Sequence, residues 1–391
     1  MFNALSDRTS CLPFNGMMAR PVSRLMTEQS CWESAAAVLG ARRALTDFGD
    51  RDREALLEWA INNRLAGLLW QIAGSADAGA GRDGWFDAAC RQAAHAVYQE
   101  RELRRVVDEF ARAGISPILL KGGALAYTIY PDASLRPRSD NDVLVAADQA
   151  GGVQAVLERL GYERSLQISG DLIMSQLMYR RTDERAIRYQ FDVHWKISNA
   201  LAYADRLSYD EIRAEAVSMP RLDSRALAPS AVHSLAVACV HRIAHHADTD
   251  DLLWLYDIHL LARSLTEAEW RRALALAEAK QLCAVLLRGI ERAGSAIGQS
   301  APGHVIQRLS ELSSREPAAP LLGSPARTID LVLTDLRALP SSRARLQLLA
   351  EHLIPSASYM RRAYPRCPPT LLPLAYAYRI VRGAPKWFRR G

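Results

Sequence analysis

Asp140 and Asp142, two residues apart, and Asp192, fifty residues on, are carboxylates that could act together in this chain. Asp140 and Asp142 lead into the apolar run Val143-Leu144-Val145, which reads as a short strand. Alternation along a strand puts residues i and i+2 on one face. Two carboxylates held that way repel each other unless a cation lies between them. Hard oxygen donors of this kind suit Mg2+, which takes one or two carboxylates together with substrate phosphates. Asp192 sits near the middle of Arg188 to Ile197, an alternating strand-like run. Upstream, Gly122-Gly123 follows the mostly apolar run Ile115 to Leu120. Two residues without Cβ where a helix can begin let backbone N–H groups approach an anion. Lys121 adjoins the glycines, and Arg136 precedes Asp140 by four residues. They are candidates to bind phosphate, and Arg136 is the stronger one because guanidinium binds phosphate in a forked geometry.

The elements that must position these groups can be read in outline. Gly114 and Gly122 bound a buried strand, although Pro117 argues mildly against a central position in a sheet. Ala146 to Leu160 reads as a helix ended by Gly161. Strands alternating with helices, with antiparallel returns, predict an α+β fold: a small mixed sheet flanked by helical regions. The expected units are a disordered leader over 1–30 (with Met26 an alternative start), a helical subdomain over 31–113, a catalytic core over 114–200 and a helical region over 201–391. Leu57, Ala60, Ile61, Leu65, Leu68 and Leu69 give the first helical unit an apolar stripe. Gly74 to Gly84 reads as a loop, and Trp85 to Ala113 as a long helix with Gly114 as its cap.

Taken as a set, these residues resemble the polymerase-beta-like nucleotidyltransferases, and among them the uncharacterised bacterial family NTP_transf_5. The resemblance rests on Leu120-Lys121-Gly122, Tyr130-Pro131-Asp132, Leu135-Arg136, Asp140-x-Asp142-x-Leu144-Val145, Gly161-Tyr162 and Asp192-x-His194-Trp195, and covers roughly residues 30 to 365. Asn141 stands between the two aspartates, where the family usually has an apolar residue. The resemblance implies a metal site of Asp140, Asp142 and Asp192 holding two Mg2+ ions. Asp192 would also help activate an acceptor hydroxyl. Lys121, Gly122, Gly123 and Arg136 would bind a nucleoside triphosphate such as ATP, and pyrophosphate would leave. The recipient of the nucleotide, a small molecule or a protein side chain, is not readable. A non-catalytic binding module, for example an antitoxin-like partner, is the alternative. A lost carboxylate would favour it, and none is lost.

The bulk properties narrow the class. The chain has 391 residues, 49% hydrophobic and 24% charged, with a formal net charge of +6. This is the composition of a soluble globular protein. The modest charge and the lack of a separate strongly basic domain give no reason to expect a nucleic-acid partner. The six cysteines form no CxxC pair, so neither a zinc site nor a disulfide framework is expected, and a reducing cytoplasm is the natural compartment. His241 and His245 lie at i and i+4, but residue 242 is Arg, so the metalloprotease pattern is absent. They either hydrogen-bond within a helix bundle, with Asp257 a candidate partner, or face the cleft and touch substrate. Asp257, in the apolar run Leu252 to Asp257, needs a buried partner. Leu371 to Gly391 mixes apolar residues with Arg and Lys, and reads as a packed terminal helix or as a basic helix touching acidic lipid at the membrane periphery.

Overall fold

The computed structural model describes residues 26–74, 82–166, 170, 172–246, 248–314, 316, 322 and 328–388. Most of the expected leader (residues 1–25), most of the expected loop after Gly74 and Asp171 lie outside the described residues. The chain begins with helices α1 (Glu28–Leu39), α2 (Asp50–Asn62), α3 (Ala66–Ala73) and the long α4 (Arg82–Arg112). Strand β1 (Ile118–Leu120), α5 (Lys121–Thr128), β2 (Asn141–Leu144), α6 (Ala150–Arg159), β3 (Glu163–Arg164), β4 (Gln176–Thr182) and β5 (Arg188–His194) follow. Two short helices, α7 (Leu201–Ala204) and α8 (Tyr209–Ala214), lead to β6 (Val217–Met219) and β7 (Asp223–Ala228). The rest is helical: α9 (Ala231–His246), α10 (Leu252–Ser264), α11 (Glu267–Lys280), α12 (Cys283–Ala296), α13 (Gly303–Ser313), α14 (Thr328–Ala338), α15 (Ser342–Leu353), α16 (Ala357–Ala363) and α17 (Leu372–Phe388).

The described strands form one sheet in the order β3-β4-β5-β2-β1-β7-β6. β1 runs antiparallel to β2, and β2 runs parallel to β5 with Asp142 opposite Asp192. The mixed sheet and its helical flanks are the α+β architecture read from the sequence. The sheet runs past residue 200, because β7 pairs parallel with β1 at Leu227 and Ile118. Pro117 is accommodated because it precedes β1 rather than interrupting it.

Strand alternation divides the core. Leu119, Val143 and Val193 face Leu103, Val106 and Phe110 of α4 and Leu157 of α6. Ile118, Leu120 and Leu144 face the other way, into a larger core with Leu56, Leu69, Leu235, Leu255 and Leu286. The first three helices and α9 to α13 therefore share one apolar core on the second face of the sheet. Asp142 and Asp192, one residue before Val143 and Val193, point to that second face. Local signals fix the helix ends. Gly114 and Gly161 take φ of +71° and +83° after α4 and α6, a conformation other residues resist. Asp251 caps α10 by accepting the N–H groups of Leu253 and Trp254.

Candidate active site

Asp142 (β2) and Asp192 (β5) are cross-strand neighbours, and both are buried. With His194 they offer ligand atoms within 4.8 Å of one another. Asp140 sits just before β2 and is half-buried. It stands outside that closest group, although its charge is felt by Asp192. The structure thus draws Asp142 and Asp192 closer together than the adjacent pair Asp140 and Asp142 suggested. His194, two residues after Asp192 on the same face, joins them. That spacing was readable from strand alternation alone.

The three carboxylates sit in different electrostatic settings. Burial alone would raise Asp142, but the Lys121 ammonium and His194 outweigh it and hold the carboxyl well below its ordinary value. Lys121 Nζ and His194 Nε2 both lie on Asp142 Oδ1, at 2.7 and 2.8 Å. Lys121 begins α5 directly after β1 with a left-handed φ of +50°, which aims its side chain back at Asp142. A non-glycine residue held there carries backbone strain, a feature that clusters at functional sites. Asp192 lacks such a cation. Burial and the charges of Asp140 and Asp142 push it well above its usual value, and its one hydrogen bond, 3.0 Å from Gln190 Nε2, offsets little of this. Asp140 is raised for the same reasons, burial first and then Asp142. Burial and mutual repulsion leave Asp140 and Asp192 short of positive charge, a setting able to accept a divalent cation. An oxygen-rich pair at this spacing fits Mg2+. His194 acts behind the pair: its Nε2–H fixes Asp142, while its buried Nδ1 has no partner among the described residues.

Arg136 takes a different place from the phosphate contact expected of it. It is 5% exposed and bound to Asp257 of α10. Nε donates to both carboxylate oxygens at 2.8 and 3.0 Å, and Nη2 to Oδ2 at 2.7 Å. Nη1 donates to the Pro137 carbonyl, and the Tyr130 hydroxyl completes the cluster with a 2.8 Å bond to Asp257. Asp257 has the buried partner its sequence context required, and that partner is Arg136 and Tyr130 rather than a histidine. The guanidinium lies under the glycine turn. A Cβ added to Gly122 would stand 3.1 Å from Arg136 Nη1, whereas one on Gly123 would meet only Asn141 Oδ1 at 3.6 Å. The missing Cβ of Gly122 makes room for Arg136, and Gly123, also buried, lies in the first turn of α5.

Several neighbours were not singled out in the sequence. Arg138 is buried, donating to Asn141 Oδ1 at 2.9 Å and to the Tyr127 hydroxyl at 3.1 Å, so it braces the start of β2. This gives Asn141, polar where the family favours an apolar residue, a structural task. Arg64, exposed between α2 and α3 with φ of +61°, lowers the carboxyl of Asp140, and its guanidinium forms no hydrogen bond or ion pair among the described residues. Its sequence distance from the motifs hid it. On α9, His241 and His246 approach at 3.1 Å between their Nε2 atoms, and the His246 ring lies 4.0 Å from that of Trp254. Burial, and then Lys121, push His241 and His245 well below the usual imidazole value, and His246 falls to about 4. These histidines form a neutral wall toward Lys121 and His194. Among the described residues they belong to no group of three metal-ligand side chains.

A cavity of about 630 Å³ lies elsewhere, against α4, lined by Arg101, Arg105, Arg181 and Tyr189 among others. Tyr189 alternates with Asp192 along β5, so this cavity is on the face away from the carboxylates. Most of its arginines are already paired, Arg105 and Arg181 with Glu102 and Arg225 with Asp108.

A mixed sheet with carboxylates in register on neighbouring strands, and a glycine turn on the strand beside them, is an architecture of nucleotidyltransferase type. The family model of NTP_transf_5, an uncharacterised nucleotidyltransferase, matches residues 49–311, and the chain belongs to that family. It is accordingly an enzyme of the nucleotidyltransferase class. No curated protein matches it. Among the described residues, no helix is long and apolar enough to cross a membrane. The described cysteines, Cys31, Cys90, Cys239, Cys283 and Cys367, are free.

Proposed function

We propose that the protein moves a nucleoside monophosphate from a nucleoside triphosphate, ATP being the first to test, to a hydroxyl of a small molecule or protein, in the cytoplasm. The observation that carries this reading is the register of Asp142 and Asp192 on adjacent parallel strands, both buried, with Asp140 beside them. Asp142 and Asp192 would hold Mg2+, and Asp140 would complete the charge around a second ion. Divalent ions bound there would neutralise charge on the triphosphate and on the attacking and leaving oxygens. Asp142 is held ready by Lys121 and His194. Asp192, beside the catalytic ion, would help take up the acceptor proton. The acceptor oxygen then bonds to the α-phosphorus, the bond from that phosphorus to the bridging oxygen breaks, and pyrophosphate leaves with the electron pair. The first backbone N–H groups of α5, at Gly122 and Gly123, would receive the phosphates. Lys121 and Arg64 are the cations able to turn toward them, while Arg136 supports the turn from beneath.

The test is a screen of the four α-labelled ribonucleoside triphosphates with Mg2+. It follows pyrophosphate release and transfer of label to extract metabolites or proteins. Release that depends on Mg2+ and on Asp192 supports the reading. Triphosphate binding without release under any acceptor supply would leave the non-catalytic module standing in its place.

A further inference from the structure

The charge of this chain is concentrated at one end. Its 49 Lys and Arg stand against 43 Asp and Glu, yet no acidic residue follows Glu351, and eight basic ones do. The 351 residues up to that point therefore hold 41 basic against 43 acidic groups, and the whole net positive charge belongs to the final 40. That segment also lies beyond residues 49–311, the part matched to the nucleotidyltransferase family.

The same segment exposes apolar surface in a periodic pattern. α17 is docked through one side: Ala375 is buried, the Tyr376 hydroxyl donates to the Pro355 carbonyl, and Arg379 donates to the carbonyl of His352. Its opposite side carries Leu374, Tyr378 and Val381, continuing the line of Leu371 just before the helix. These four are 65%, 52%, 74% and 46% exposed in that order. Spacing of three, four and three residues places them in one stripe. A surface helix ordinarily turns its apolar stripe inward, and this one turns it outward. Arg382 lies at the border of the stripe, with Nη1 donating to the Tyr378 hydroxyl at 2.9 Å, and Arg361 and Arg362 are exposed on the neighbouring α16.

We propose that the C-terminal helices form a docking surface for an anionic lipid bilayer, with the stripe of α17 seated at the level of the acyl chains and the surrounding arginines at the headgroups. An apolar face with basic residues around it is the arrangement of helices that lie in a membrane interface. Nucleic acid fits less well, because it would set phosphates against Leu374 and Val381 at the centre of the face. A second copy fits less well too, since a two-fold contact would bring one strongly basic segment against another. The surface is separate from the carboxylate site, and the inference does not depend on the nucleotidyl-transfer reading.

The experiment is flotation of the full chain with vesicles of phosphatidylcholine alone or mixed with phosphatidylglycerol. Binding to the anionic vesicles should exceed binding to the neutral ones by about tenfold, and high salt should weaken it. L374D combined with V381D should abolish flotation while leaving the melting temperature unchanged, because both positions are exposed. Arg361→Gln with Arg382→Gln should reduce the preference for anionic lipid and leave residual apolar binding. Equal binding to both vesicle types, or flotation untouched by L374D with V381D, would overturn the proposal. So would retention on RNA without flotation, or a dimer in light scattering that the same double substitution disperses.

Discussion

Arg136→Ala should unfold the protein before it affects nucleotide binding. The guanidinium is buried, bonded three times to Asp257, and shares that carboxylate with the Tyr130 hydroxyl. Burial by itself would make Arg136 easier to deprotonate and Asp257 harder to ionise; the pair opposes both effects. Removing one member leaves a charge with no counter-ion in a site closed to water, a loss of about 3–5 kcal/mol. At roughly 2–4 °C per kcal/mol, and the lower end for a chain this long, the melting temperature should fall by about 5–10 °C. A phosphate ligand would behave differently. Its loss would leave the melt unchanged and weaken triphosphate binding by about 1.5–3 kcal/mol. The assay is a thermal melt beside calorimetric titration of Mg-ATP, run at a temperature where the variant is still folded. Arg136→Met with Asp257→Leu serves as control: with both charges gone, most of the lost stability should return. If Arg136→Ala melts like the parent protein and binds triphosphate weakly, the buried-pair account is wrong and the arginine faces the substrate.

Three further outcomes follow from the same geometry. Asp192→Asn should abolish pyrophosphate release yet leave the melt in EDTA unchanged or raised, because it relieves repulsion from Asp140 and Asp142; Asp142→Asn should abolish release and lower the melt, because Lys121 and His194 lose their anion. Gly122→Ala should cost about 1–3 kcal/mol, since its Cβ would stand 3.1 Å from a guanidinium that cannot move, while Gly123→Ala should be tolerated in melts. Burial pushes the Asp335 carboxyl up to about 6 from an ordinary 3.8, while its Oδ1 accepts the Leu201 N–H at 2.8 Å. A raised folded-state value favours folding below the unfolded value and loses that contribution as pH rises through 6. The Asp335 contribution to the unfolding free energy should therefore decline between pH 4 and 7 by up to about 3 kcal/mol, read as the pH-dependent difference between urea titrations of the parent protein and of Asp335→Asn.

The sequence disclosed what is local or periodic. Asp140, Asp142, Asp192 and the glycine turn could be found because strand alternation and missing Cβ atoms leave short-range patterns. β1 and the end of β2 stood out as short apolar runs because both faces of the sheet are covered, and β5 stood out by its alternation. Long-range pairing left no such pattern. Arg136 and Asp257 are 121 residues apart, and nothing near either one identifies the other as its counter-ion. An arginine beside a glycine turn looks the same in sequence whether it points at phosphate or away from it. β6 and β7 were missed for a related reason. Val217–Met219 and Asp223–Ala228 are short and carry exposed polar residues, and only their pairing beside β1 makes them strands. Arg64 was hidden by its place in a helical connection that the shared core folds back toward Asp140.

The charges in the cleft suggest an order of events. Asp140, Asp142 and Asp192 face one bonded cation, Lys121, and one free one, Arg64. The histidines of α9 add no charge, since burial first and then Lys121 push His241, His245 and His246 well below the usual imidazole value. A bare triphosphate entering this cleft adds more negative charge than the two cations can balance. The balance changes if divalent ions enter with the nucleotide or ahead of it. In the proposed reaction such ions would give Asp192 a counter-charge, and Lys121 would be free to leave Asp142 for the phosphates. The strained backbone of Lys121, at the junction of β1 and α5, suits a side chain that must serve two partners in turn. Arg136 cannot make that exchange, because leaving Asp257 would strand a buried carboxylate. In the proposed reaction Lys121 and Arg64 would be the cations that turn to the phosphates, while Arg136 stays with Asp257 beneath the turn.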